Sequence, residues 1–195
     1  VLEGGSIDVN GQGTVMTTEQ CLLNRNRNPH LTKKEIEEYL NNYLGCSNVL
    51  WLMDGIVGDD TDGHIDDIAR FADARTILYA FEDNARDQNY ARLMKNFEIL
   101  EDAVSEGGEP FTLVPMPMPS AVTTEDGKRL PASYLNFYIG NTKVIIPLFG
   151  VPQDDEALSI IKAAFPGREA VGIPATPIVY GLGTFHCMSQ QQPVP

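Results

Sequence analysis

The sequence has few cysteines, few basic residues and no long apolar run, and each shortage argues against a class of protein. Its three cysteines, Cys21, Cys46 and Cys187, are an odd and widely spaced set, unlike a disulfide framework. With 14 Lys and Arg against 27 Asp and Glu, the net charge of −13 argues against a nucleic-acid surface, which needs a basic stripe. No segment resembles a membrane span or a secretory signal. Composition therefore predicts a cytoplasmic protein that binds neither nucleic acid nor membranes.

The length and composition are those of one large globular domain or of part of a larger protein. The chain has 195 residues, of which 43% are hydrophobic, which is enough to bury a sizeable core. The first residues, VLEGGSIDVNG, have the pattern of a strand and a turn and include no initiator methionine. We expect from this that the chain begins in the middle of a fold.

A unit of two strands, a helix and a closing strand is predicted near the N-terminus. Two β-like runs at residues 6–9 and 14–18 are joined by NGQG, which is a hairpin signal. In the helix that follows, Thr32 and Glu35 form a predicted capping box, and Gly45 ends the helix. The apolar residues of this helix fall on one face: Ile36, Tyr39, Leu40, Tyr43 and Leu44.

The same order recurs twice, and a fourth unit is predicted to begin near the C-terminus. Closing strands are expected at residues 49–53, in PFTLVPMPMP and at 170–173, and the prolines restrict the second of these to an edge position. The other predicted elements are strands at 65–71, 76–81, 134–140 and 143–150, and helices at 89–104 and 154–165. The segment FHCMSQQQP is expected to start the fourth unit.

Equal spacing supports the repeat. The separation from Val49 to His64 equals that from Val171 to His186, and each segment passes through a glycine-containing loop. Repeated supersecondary units usually form a closed or stacked array. The pattern therefore predicts a propeller-like α/β fold with its helices outside, and an ordinary α+β sandwich is the alternative.

Chemically versatile side chains fall at corresponding places in these units. Glu3 precedes the first strand of unit one, His64 and Asp66 occupy the same point of unit two, and Cys187 that of unit four. If the units circle an axis, these side chains converge on it. The result would be a nucleophile, a proton shuttle and two anionic groups in one pocket.

Each of these residues also has a structural explanation. Cysteines in strands are commonly small buried hydrophobes, and we assign Cys21 and Cys46 to packing. Cys187 differs because its surroundings, GLGTFHC and SQQQP, are polar and rich in glycine. His30 is expected in a loop or cap, and His186 is expected to point away from Cys187 if its segment is extended.

The stretch GDDTDGHIDD gathers five aspartates around one histidine. Asp59, Asp60 and Asp62 lack the spacing and terminal Glu of an EF-hand calcium loop. Zinc would need more His or Cys nearby, and magnesium–phosphate chemistry would need a glycine-rich cradle followed by Lys. With these metal sites disfavoured, the stretch predicts a carboxylate-lined site for an organic cation, in which Asp59 and Asp60 shape the loop.

Three motifs, in order and well spaced, make the sequence similar to the agmatine deiminase family, which includes bacterial peptidylarginine deiminases. They are LEGGSIDVNGQGTVMTTEQCLLNRNRNPHL, WLMDGIVGDDTDGHIDDIARF and GLGTFHCMSQQQP, and the resemblance runs from Leu2 to Pro193. It implies the pentein fold, a five-bladed α/β propeller of ββαβ units. About three blades would lie in residues 1–195, a single catalytic domain that forms the C-terminal part of the propeller and lacks its N-terminal part.

The resemblance also implies a role for each matching residue. Cys187 matches the nucleophile, His64 the general acid/base, Asp66 the carboxylate that binds the guanidinium, and Glu3 the glutamate that orients the histidine. A further guanidinium-binding aspartate of the family belongs to the N-terminal half and has no counterpart here. No metal and no organic cofactor is expected.

The expected function is deimination of agmatine to N-carbamoylputrescine and ammonia through a cysteine thiouronium intermediate. Deimination of free or peptidyl arginine, a non-catalytic pentein binding protein and a metal-dependent hydrolase are the alternatives. The expected partners are a small cationic guanidine and the missing half of the propeller. Assembly into homo-oligomers is left open.

Overall fold

A computed structural model describes residues 1–192, and its secondary structure repeats one unit three times. Each unit forms its own three-stranded sheet, with one antiparallel pair and one parallel pair. Because a parallel pair needs a crossover, a helix connects its two strands. The three units contain the following elements: β1 (Asp8–Val9), β2 (Thr14–Thr18), α1 (Glu19–Leu22), α2 (Lys33–Leu44) and β3 (Asn48–Leu52); β4 (Ala69–Phe71), β5 (Thr76–Phe81), α3 (Tyr90–Glu101) and β6 (Thr112–Pro117); β7 (Tyr138–Ile139), β8 (Lys143–Leu148), α4 (Asp154–Ala164), β9 (Glu169–Pro174) and α5 (Thr176–Val179).

The ββαβ repeat predicted from the sequence is therefore confirmed, as are its local signals. The Thr32 side chain accepts from the Glu35 N–H, and Gly45 ends α2 in the left-handed conformation with φ of 70°. Strand β6, which contains the prolines, lies at the edge of its sheet. The predicted apolar face of α2 is only half right, because Ile36 and Leu40 are buried whereas the tyrosines and Leu44 are exposed.

The first strand of each unit is shorter than predicted. Residues Gly4–Ser6 and Ile65–Asp67 form 3₁₀ turns, and only two or three residues of each predicted strand join a sheet. In these turns the Ser6 N–H donates to the Glu3 carbonyl and the Ile68 N–H to the Ile65 carbonyl. Backbone groups bonded in this local way are not available for a ladder.

The predicted fourth unit is wrong for the residues described. Residues 185–188 form a turn, closed by hydrogen bonds from the Met188 N–H to the Thr184 carbonyl and from the Ser189 N–H to the His186 carbonyl. No strand follows up to residue 192, and the rest of the predicted unit lies outside the described residues.

Two apolar cores hold the structure. The larger joins the second and third sheets, with Tyr134, Phe137, Ile77 and Leu78 almost fully buried, and the smaller lies beneath α2 in the first unit. Across residues 1–192, no helix has both the length and the apolar character that crossing a membrane requires.

Candidate active site

The predicted side chains converge on one cavity. Glu3 and His64 each occupy the residue before a 3₁₀ turn, Asp66 lies within the second turn, and Cys187 lies in the turn near the C-terminus. All four line a cavity of about 410 Å³. The convergence expected from corresponding positions of the units is thus observed.

Glu3 and His64 form one side of this cavity. The Nε2 atom of His64 is 3.1 Å from Oε2 of Glu3. His64 is 7% exposed, and its backbone N–H donates to the carboxylate of Asp59. Arg27 also contacts Glu3 Oε2, and its hydrogen bond is the main reason that the pKa of Glu3 lies below the usual value.

Asp66 forms the opposite side and is completely buried. Its Oδ2 atom accepts from Asn136 Nδ2 at 3.1 Å and lies 2.7 Å from His186 Nδ1. Its Oδ1 atom is buried and has no partner among the described residues. A buried carboxylate oxygen left unpaired is costly, so a cationic donor entering the cavity would satisfy it.

The Cys187 sulfur lies beside this carboxylate, 3.5 Å from Asp66 Oδ2, and accepts from Asn136 Nδ2 at 3.1 Å. The residue as a whole is exposed at the cavity. Burial of the sulfur, together with the negative charges of Asp66 and Asp67, raises the pKa of the Cys187 thiol well above its ordinary value. These surroundings favour the thiol over the thiolate.

Asn136 is a site residue that sequence reasoning missed. It is buried, and its Oδ1 atom accepts from the backbone N–H groups of Thr184, His186 and Cys187. It therefore shapes the turn that presents the sulfur. A signal was available, because Asn136 stands two residues before β7 as Asp67 stands two residues before β4.

The expectation for His186 was wrong. In an extended segment its side chain would point away from Cys187, but the segment turns there, and the His186 ring joins the site through Asp66. Asp59 shapes the loop as predicted, since it accepts from the N–H groups of Thr61, Gly63 and His64. The same role for Asp60, which is exposed at the rim of the cavity, stays a prediction.

Gly5 lies where the two sides of the cavity meet. A β-carbon at this position would stand 2.6 Å from His64 Nδ1 and 2.9 Å from Asp66 Oδ2. Both distances are below van der Waals contact, so any larger residue would displace the imidazole or the carboxylate. The close approach of the two sides thus depends on glycine.

Potential metal donors also occur here. One donor atom each from Glu3, Cys21 and His64 lie within 4.8 Å of one another. Burial raises the pKa of the Cys21 thiol to about 12, and Arg27 already occupies Glu3 as a cation. Within this group Glu3 already binds the guanidinium of Arg27, and Cys21 would have to lose its proton to bind a metal. The three donors are therefore poorly suited to a metal site.

Comparison with known proteins shows the family of this chain. The model of the Porphyromonas-type peptidyl-arginine deiminase family matches residues 1–193. An agmatine deiminase of Pseudomonas putida is 42% identical over 212 residues, which cover 100% of this chain and 58% of the relative. The chain thus spans little more than half the length of the curated relatives that it matches.

Solved structures show the same fold. The agmatine deiminase of Enterococcus faecalis is 36% identical with a TM-score of 0.93, over 99% of this chain and 57% of that one. A Campylobacter jejuni agmatine deiminase with substrate bound is 36% identical with a TM-score of 0.88, over 95% and 54%. An amidinotransferase of Microseira wollei shares the fold alone, at 15% identity and a TM-score of 0.51 over 96% of this chain and 44% of that one. The family match over nearly the whole chain shows that this protein belongs to the Porphyromonas-type peptidyl-arginine deiminase family.

Proposed function

We propose that this chain carries the catalytic cysteine, histidine, glutamate and one guanidinium-binding aspartate of an agmatine deiminase. The observation that carries the proposal is the cavity lined by Cys187, Asp66 and the Glu3–His64 pair, together with the unpaired Oδ1 atom of Asp66. The agmatine deiminases among its relatives support the choice of substrate.

Asp66 binds the substrate in this proposal. A guanidinium is a planar cation with N–H groups on its edges, and a carboxylate accepts them in paired, charge-assisted hydrogen bonds. The free Oδ1 atom of Asp66 supplies an acceptor, while Asn136 and His186 fix the carboxylate from its Oδ2 side. The guanidinium carbon is thereby held beside the Cys187 sulfur.

Substrate charge activates the nucleophile. Because the charge of Asp66 helps to raise the pKa of the Cys187 thiol, a guanidinium bound to Asp66 offsets this charge and favours the thiolate. The thiol proton passes to His64 as the sulfur attacks the guanidinium carbon, and His64 then gives that proton to the nitrogen that leaves as ammonia. Water activated by His64 then attacks the thiouronium, the C–S bond breaks, and the ureido product leaves.

Glu3 supports both halves of this cycle. An ionised carboxylate at 3.1 Å from the imidazole stabilises the protonated ring that donates to ammonia. The lowered pKa of Glu3 keeps this carboxylate ionised near neutral pH.

We also propose that the three sheets are three blades of a five-bladed pentein propeller, and that residues 1–195 form the C-terminal part of one catalytic domain. The identical strand order of the three units and the greater length of the relatives support this arrangement. The cytoplasmic location and any homo-oligomer remain predictions.

Ammonia release from agmatine, arginine and a peptidyl-arginine, measured with the complete product of the gene, tests the activity. Release from agmatine alone is expected. Release only from the arginine compounds would favour the second candidate, peptidyl-arginine deimination. The name of the matching family supports this candidate. Release from none of them by the folded protein would refute a deiminase.

A cationic electrophile separates an enzyme from a binding protein of the same fold. Chloroacetamidine carries the amidine charge and should label Cys187 faster than neutral chloroacetamide does, because Asp66 attracts only the former. Cys21 and Cys46 are buried and should stay unlabelled. Equal labelling rates at Cys187 with the two reagents would contradict the proposed site.

A further inference from the structure

Arg27 lies at the edge of the site and takes no part in the mechanism above. Its Nε atom donates to Glu3 Oε2 at 2.5 Å, its Nη1 to Asp62 Oδ2 at 2.8 Å and its Nη2 to the Thr61 carbonyl at 2.6 Å. The side chain is only 8% exposed. Nη1 also donates to Asn26 Oδ1 at 3.0 Å. Because its planar fork meets four acceptors at once, Arg27 is held in one orientation.

Glu3 is much less constrained. Its side chain is 40% exposed, and its side-chain partners among residues 1–192 are Arg27 and His64, both at Oε2. Holding a long glutamate side chain in one rotamer costs conformational entropy. A single contact with a solvent-exposed carboxylate contributes little to offset that cost. The contact with His64 alone is therefore too weak to keep Glu3 in place.

We propose that Arg27 is a positioning residue that holds Glu3 against His64. The inference rests on the proposed function, because it assigns Arg27 to the proton-transfer side of the deiminase site. Arg27 touches none of the groups proposed to bind the guanidinium or to attack it. Its effect is transmitted through Glu3, which it fixes within reach of the imidazole.

A double-mutant cycle in the complete gene product tests the idea. In R27Q, kcat for agmatine should fall by about tenfold or more, a part of what a general acid/base contributes. KM should change by less than about threefold, because Asp66 is untouched. If Arg27 acts only through Glu3, E3Q and R27Q/E3Q should be equally impaired. If the loss of kcat in R27Q/E3Q equals the product of the losses in the two single variants, the proposal is overturned.

An NMR titration gives a readout that does not depend on turnover. The titration curve of the His64 ring in R27Q should superimpose on that in E3Q and differ from that of the wild-type protein. A curve like that of the wild type would show that Glu3 stays beside His64 without Arg27, and the proposal would fail. If the wild-type protein releases no ammonia, the deiminase proposal fails, while this titration still decides the role of Arg27.

Three further variants separate positioning from charge and from folding. R27K keeps the charge but cannot reach all four acceptors, so it should resemble R27Q, and full activity would overturn the proposal.

D62N leaves the contact of Arg27 with Glu3 and suits the left-handed backbone at this position, where φ is 60°. The D62N variant should therefore keep most of kcat. A loss of kcat as large as that of R27Q would show that the loop at Asp62, and not the contact of Arg27 with Glu3, controls kcat, and would overturn the proposal. R25Q, on the same segment but exposed, should match the wild-type protein in melting temperature and kcat.

Discussion

The two sides of the cavity are built differently. On the ionic side, Glu3 Oε2 contacts both Arg27 and His64, and the Glu3 side chain is 40% exposed. On the buried side, Asp66 is fully buried and is held, with the Cys187 turn, by the neutral amide of Asn136. The solvent-exposed carboxylate of Glu3 suits proton exchange with water, whereas the buried carboxylate of Asp66 suits a fixed geometry for binding and attack.

This difference makes the two sides separable by mutation. Substitutions on the buried side should abolish substrate binding or remove the nucleophile. Substitutions on the ionic side should slow proton transfer while substrate binding stays intact. Gly5, which allows the two sides to approach, marks the boundary between them.

The largest effect is expected for Cys187→Ser. A hydroxyl is far less nucleophilic than a thiolate, so ammonia release from agmatine should fall by about a thousandfold or more. Substrate binding, measured by calorimetry, should persist because Asp66 is unchanged. The control is Cys46→Ala, in a buried cysteine outside the cavity, which should retain turnover. A fully active Cys187→Ser variant would refute the mechanism.

Asp66→Asn should act mainly on binding. The substitution removes the charge from hydrogen bonds worth about 1.5–3 kcal/mol, so KM for agmatine should rise by about tenfold to a hundredfold. Steady-state kinetics measure this change, and Asp102→Asn, at an exposed site after α3, is the control. A variant whose kcat falls while KM is unchanged would place Asp66 in the chemistry instead of in binding.

Asn136→Ala tests whether the buried side depends on its neutral amide. The substitution leaves the N–H groups of the Cys187 turn unpaired, at about 1–3 kcal/mol of stability, and kcat should fall by about tenfold. Asn96 is the matched control, since it is equally buried and bonds the Met53 N–H and the Asp54 carbonyl far from the sulfur. Asn96→Ala should lose stability but not kcat, and equal kcat losses would contradict a specific role for Asn136.

The same contrast explains what the sequence could reveal. Capping boxes, hairpin signals and apolar periodicity are local, so the order of elements in the repeat and the bounds of α2 were predictable, whereas the first strand of each unit begins two to four residues later than predicted. Glu3, His64 and Asp66 were predictable because each stands before the first strand of a unit, and Cys187 because the residues around it are polar and rich in glycine. Asn136, Arg27 and His186 were missed or misplaced because their roles depend on contacts between distant segments. For example, Asn136 bonds residues 48 to 51 positions away along the chain. The direction of the His186 side chain was also mispredicted because the tight turn at this residue has no strong local sequence signal.

The smallest effect concerns Asp67, which is buried beside Asp66 and has an unpaired Oδ1 atom. Burial, reinforced by the charges of Asp66 and Asp59, raises the pKa of Asp67 well above its usual value. Its contribution to stability is therefore fully present below the pKa of the unfolded chain, near 3.9. That contribution is lost as the pH rises through the higher pKa of the folded state.

Asp67→Asn should remove this dependence, since the amide has the shape of the acid but does not ionise. The free energy of unfolding of the variant, from urea titrations at several values between about pH 4 and pH 8, should exceed that of the wild type increasingly as the pH rises. The gain at neutral pH should be on the order of 1 kcal/mol. Asp102→Asn, at its exposed site, should follow the wild-type curve. A constant difference at all pH values would mean that Asp67 does not change its protonation on folding, and that the buried side of the cavity tolerates two adjacent negative charges.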